Sequence, residues 1–169
     1  MTKSRSMPLI ELTTHIDAPV ARCFDLARSI DFHITTAGKT GETAVAGRMT
    51  GLIGLHETVT WRAKHLGVWQ KLTSEITACE RPRHFQDVMR KGAFASLCHD
   101  HFFEDAGNDR TVMRDSFAFE SPLGPLGKMA NWLFLEAYLR RFIVERNDLL
   151  KQMAESEAWR AFLPDAKIG

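Results

Sequence analysis

Two histidines one residue apart, His99 and His101, are the residues whose type and spacing point most directly to chemistry. Side chains alternate across a strand, so residues two apart share a face. A strand over Ser96–Asp105 therefore carries both imidazoles on the face of Leu97 and Phe103. The same alternation sets Asp87 with Phe85 and Met89 in a strand over His84–Lys91. It sets Asp115 with Met113, Phe117 and Phe119 in a strand over Arg110–Ser121, and Glu57 with Val59, Trp61 and Ala63 in His56–Leu66. One apolar face thus collects Glu57, Asp87, His99, His101 and Asp115.

The turns fix the register. A hairpin centred near Ala93 places Asp87 opposite His99, and one centred near Asn108 places His101 opposite Asp115. Opposed residues lie about 4.5–5.5 Å apart at Cβ, so each histidine gains a carboxylate neighbour. Three uses of such a cluster compete. It is a buried, mutually paired network, since buried charges persist only when paired. It is a polar anchor for a ligand's head group, with Val59, Trp61, Met89, Phe103 and Phe117 as apolar walls. Or it is acid–base machinery, a histidine oriented by a carboxylate. A His-x-His pair with a nearby carboxylate also occurs in some zinc sites. No third histidine lies close in sequence, so neither a metal nor a cofactor is expected.

The remaining candidates read as structural. His15, His33, His56, His65 and His84 are scattered and read as surface or strand residues. Cys98 falls on the outer face and reads as inert. Arg140, Arg141 and Arg146 read as the solvated side of a helix. There is no phosphate-binding or nucleophile-elbow glycine motif.

Strands must position these groups, and five are expected in succession from His56 to Ser121 as an antiparallel meander. The short connections hold Gly67, Arg81-Pro82-Arg83, Gly92 and Gly107-Asn108-Asp109. A further strand, Leu9–Ile16, precedes a helix that Asp17 is expected to cap, with Pro19 in its first turn. A short second helix is expected near Ile30–Thr36. Thr36–Leu55 holds five of the 11 glycines and reads as a long, partly ordered loop with room for a strand fragment, either a plain connection or a lid.

Ser121–Gly127 breaks the sheet, and a helix of roughly 40 Å follows over Leu126–Ala154. Trp132, Leu135, Leu139, Phe142, Leu149 and Met153 form its apolar stripe, with Arg146 in the gap. Trp159, Phe162 and Leu163 are expected to pack back onto the body of the protein.

The whole chain, 1–169, reads as one domain. Hydrophobic residues make up 44% and charged residues 25%, which argues against disorder. A net charge of +1 argues against a general nucleic-acid binder. Three dispersed cysteines argue against a disulfide framework. With no signal-peptide pattern and no apolar run of spanning length, a cytoplasmic protein without an integral membrane segment is expected.

The chain resembles the START-like (SRPBCC) superfamily, most closely its small bacterial ligand-binding members. The resemblance is carried by Ile16-Asp17-Ala18-Pro19-Val20 with Phe24, Glu57–Ala63, Phe85–Met89 and His99–Glu104. Pro122–Gly127 and the helix segments Leu133–Leu135 and Tyr138–Arg141 complete it. It implies an α+β helix-grip fold: a curved antiparallel sheet wrapped around a long C-terminal helix, with a cavity between them. It also implies binding of a small hydrophobic ligand (a lipid, quinone or polyketide-like ring) by a carrier, sensor or chaperone. The alternative is a cyclase, dehydratase or hydrolase using a His–carboxylate pair. Fold alone does not choose between them.

Overall fold

Alternating apolar and polar residues build most of the molecule. The computed structural model describes residues 8–38, 40–120 and 128–163. Seven strands form one curved antiparallel sheet: β1 (Leu9–Ile16), β2 (Thr43–Gly47), β3 (Thr58–His65), β4 (Val68–Glu80), β5 (His84–Lys91), β6 (Ser96–Gly107) and β7 (Arg110–Glu120). Their spatial order is β1-β7-β6-β5-β4-β3-β2. Strands β3 to β7 are a meander, and β1 closes the far edge against β7. Helices α1 (Val20–Ala27) and α2 (Ile30–Thr36) link β1 to β2, and α3 (Lys128–Glu155) follows the sheet. This is the helix-grip arrangement. The expected break at Ser121–Gly127 and the side chain of Trp132 lie outside the described residues.

Three local expectations change. Asp17 does not cap α1: Pro19 holds that position, and the Asp17 backbone N–H donates to Glu155 Oε1 at 2.8 Å. The strand fragment expected after α2 is β2, but the segment is more ordered than a long loop, because β2 pairs with β3 and Ser29 bridges to Leu52. Gly47 allows this pairing: at φ +73 a side chain there would run into the Thr58 carbonyl. Along α3 the buried line is Leu139, Ile143, Asn147, Leu150 and Ala154. Phe142, Leu149 and Met153 flank it at intermediate burial.

The buried residues form two apolar clusters. One centres on Phe24, which meets Phe85 and Phe103 edge-on at centroid distances of 5.5 and 5.4 Å. It also takes in Trp159 and Leu163, so the C-terminal segment does pack back. The other joins Ile10, Leu97, Phe117 and Phe119 to Leu139 and Ile143 of α3. α3 packs most extensively along β1 and α1 rather than along the central strands. That offset leaves room between the helix and β3–β6. No helix among the described residues is long and apolar enough to cross a membrane.

Candidate functional site

The space under α3 is a cavity of about 160 Å³. Its walls are mainly apolar, with Val59, Trp61 and Ala63 on β3, Leu97 on β6, Phe117 on β7 and Ile143 on α3. A second, more open pocket of about 430 Å³ adjoins it, sharing His33, Glu42, Phe142 and Arg146.

Strand register assembles the polar end. Asp87 pairs with His99 across β5–β6, and His101 pairs with Asp115 across β6–β7. The side chains then bond diagonally as well as directly. His99 Nε2 lies 2.9 Å from Asp115 Oδ1, and His101 Nδ1 lies 2.9 Å from the same oxygen. His101 Nε2 reaches Asp87 Oδ2 at 3.3 Å, while His99 Nδ1 stands 4.0 Å from that oxygen. The two imidazoles overlap with centroids 3.7 Å apart, and His101 also stacks on Phe85 at 4.2 Å. Asn147 of α3 donates to Asp115 Oδ2 at 2.6 Å.

Charge distributes unevenly in this ring. Burial would raise Asp115, but hydrogen bonds from His101 and His99 and their charge hold its carboxyl well below the usual carboxylate range. Burial likewise opposes the charged form of Asp87, and the two histidines again prevail and lower it. His101 is raised: burial pushes it down, but hydrogen bonds to Asp115 and Asp87 outweigh that. His99 is lowered, by burial first and then by the charge of His101. When protonated, His101 donates to both carboxylates. A neutral His99 donates its Nε2–H to Asp115, because a carboxylate only accepts. Its Nδ1 lone pair is then left on the side of Asp87.

The cavity lining includes Val59, Trp61, Asp87, His99 and Phe117. His101 and Asp115 sit behind His99, buried to 4% and 2% exposure, and do not form part of the wall. Phe103 and Met89 are also off the wall; Phe103 packs on Phe24, and Met89 packs against the Leu97–Phe119 cluster. Glu57 is displaced altogether. β3 begins at Thr58, so strand alternation does not reach Glu57; its carboxylate accepts the Gly54 N–H at 2.7 Å and pairs with Arg48.

Several wall residues escaped the sequence reading. Arg146 lines both pockets and donates to the Ala27 carbonyl at 3.3 Å. His33 stacks on Trp61 with centroids 4.2 Å apart and bonds Glu42 at 2.9 Å. His65 meets the Tyr138 hydroxyl at 2.8 Å. Ser74 lines the cavity and is 3% exposed; its hydroxyl is buried and has no hydrogen-bond partner. Asn147 carried a legible signal: it is the polar member of the column Ile143, Asn147, Leu150.

No family model and no curated protein matches the chain. Solved structures do match its fold. The Zhui aromatase/cyclase from Streptomyces sp. R1128 is 14% identical, with a TM-score of 0.72 over 96% of this chain and 100% of that one. A START superfamily protein from Mycobacterium smegmatis is 9% identical, with a TM-score of 0.66 over 87% and 97%. A major latex-like protein from Panax ginseng is 14% identical, with a TM-score of 0.64 over 89% and 99%. The fold is therefore START-like.

Proposed function

We propose that this START-like chain binds a small, mostly apolar molecule in the cavity between the sheet and α3, with the molecule's polar end at Ser74, Asp87 and His99. The carrying observation is the Ser74 hydroxyl, buried without a hydrogen-bond partner on a residue of a mainly apolar cavity wall. A buried hydroxyl without a partner is destabilising by about 1–3 kcal/mol, a penalty that a ligand's donor or acceptor removes. The inner chamber suits a single ring or chain end, and the outer pocket gives a longer molecule room to continue past Arg146 and Glu42. Carriage, sensing or chaperoning of a lipid, quinone or polyketide-like ring all fit this shape. The similarity to an aromatase/cyclase and to a START superfamily protein supports the same class of ligand.

Native mass spectrometry of freshly purified protein, followed by titration with a panel of lipophiles, tests this reading. A co-purified mass, or saturable one-to-one uptake of a lipophile, is expected. Absence of both overturns it.

A second reading is acid–base catalysis on the bound molecule. It is favoured by one observation, the orientation of His99 through its 2.9 Å contact with Asp115 and the Asn147 bond behind it. A neutral imidazole held this way presents Nδ1 as a base. Turnover of a polyketide-like substrate that disappears in His99→Ala, with ligand uptake retained, would establish it.

A further inference from the structure

Asp87, His99 and His101 place one donor atom each within 4.8 Å of one another, a grouping of metal-ligand type among the described residues. From this geometry we infer that Asp87, His99 and His101 form a binding site for a divalent first-row transition ion, zinc or iron(II) in class, in the wall of the cavity.

The argument rests on which nitrogens are engaged. Asp115 Oδ1 holds the Nε2 of His99 and the Nδ1 of His101, both at 2.9 Å. The opposite nitrogens, His99 Nδ1 and His101 Nε2, are the ones that stand 4.0 and 3.3 Å from Asp87 Oδ2. Two donors on one zinc-sized ion must lie roughly 3–3.5 Å apart, given metal–ligand bonds near 2.0–2.2 Å. Of the three donor pairs, His101–Asp87 already meets that spacing and His99–Asp87 must close from 4.0 Å; the grouping as a whole spans up to 4.8 Å, so the two rings must also draw together by a side-chain adjustment. Metal-binding histidines usually give their second ring N–H to a carboxylate, which fixes tautomer and ring orientation. Asp115 does this for both rings at once, and Asn147 anchors Asp115 in turn.

Two histidines and a carboxylate leave coordination positions open, as in catalytic rather than structural sites. Asp87 and His99 line the cavity, so the open positions face the chamber. The ion would take the place of the proton that His101 shares with Asp87, and it would occupy the His99 nitrogen on which the catalytic reading depends. An oxygen donor on a bound molecule could complete its shell. The inference does not need the apolar-ligand reading, because the ion is tested by itself.

The experiment treats chelator-stripped, full-length protein with zinc alone and, separately, with cobalt(II) as a visible-absorption probe. The expected result is about one ion per chain, intense cobalt bands of a low-coordinate site, and a raised melting temperature. Asp87→Asn and His99→Ala should each weaken zinc affinity at least about tenfold, and Asp115→Asn by about 10–100-fold through loss of ring orientation. His84→Ala, on the opposite sheet face beside Asp100, should leave binding unchanged. Asp87→Asn preserves volume at a partly exposed position, so it decides the matter if His99→Ala fails to fold; circular dichroism of each variant shows which case holds. Well under one ion per chain, or zinc binding retained by folded Asp87→Asn, or lost in His84→Ala, overturns the inference.

Discussion

Asn147 donates a 2.6 Å hydrogen bond to Asp115 Oδ2, joining the middle of α3 to the central face of the sheet. Both residues are buried, at 5% and 2% exposure. Asp115 thus accepts from three neighbours, and removal of one leaves part of a buried carboxylate unpaired. Asn147→Ala is expected to destabilise the fold by about 1–3 kcal/mol. Urea unfolding should show a lower midpoint with an unchanged slope. A midpoint equal to wild type would show that the bond contributes nothing.

Glu42 gives a pH dependence of known sign. Burial opposes its ionisation, but the charge and hydrogen bond of His33, with Arg146 and His65 nearby, prevail and lower its carboxyl below its ordinary value. A depressed folded value means the ionised group stabilises the native state. That contribution is complete above the unfolded value and is lost as pH falls through the folded one. Glu42→Gln should therefore be less stable than wild type near pH 7, by about 1–3 kcal/mol. It should lose less on acidification, with the two urea midpoints converging below pH 4.5. Parallel midpoint curves from pH 7 downward would contradict this.

Ser74 should respond in opposite directions with and without ligand. Its buried hydroxyl has no hydrogen-bond partner. Ser74→Ala is expected to leave the unliganded protein as stable as wild type or more stable, by up to about 1 kcal/mol. The same change should weaken binding of any lipophile whose polar end reaches β4. Thermal melts of both proteins, with and without a lipophile that binds wild type, check both halves.

The sheet was legible in the sequence, and the site only in outline. Period-two patterning set the phase of Phe85, Asp87, Leu97, His99, His101 and Asp115, and the turns set the pairing of Asp87 with His99 and of His101 with Asp115. Backbone register does not dictate rotamers, so the diagonal bond from His101 to Asp87 was not readable. Alternation also cannot separate wall from interior: His101 and Asp115 share the inner face of His99 yet lie behind it. Glu57 falls off the face because the alternating pattern starts at His56, two residues before β3 begins at Thr58. Arg146 was grouped with Arg140 and Arg141 by proximity, although at about 100° per residue it lies well around the helix from Arg141. His33 and Glu42 come together through α2 and the segment leading into β2, a long-range arrangement with no local signature.

Arg146 should discriminate ligands by charge. It borders both pockets and carries a guanidinium at their junction. Arg146→Met keeps the aliphatic stem and removes the charge. Affinity for a carboxylate-bearing lipophile is expected to fall about tenfold, equivalent to about 1.4 kcal/mol, with little change for its neutral ester. Equal losses for acid and ester would show that Arg146 acts through packing alone.

The cavity itself is tested most directly by filling it. Ala63 lines the chamber from β3 and is 4% exposed, so Ala63→Phe drives a ring into the space a ligand would occupy. A solvatochromic dye is titrated into wild type and into the variant, each first shown to be folded, and then displaced with lipophiles. The expected result is saturable, one-per-chain dye binding and displacement in wild type, with binding weakened by at least about tenfold in Ala63→Phe. Unsaturable binding in wild type, or equal affinity in the folded variant, would contradict the proposal that the space under α3 is a ligand site.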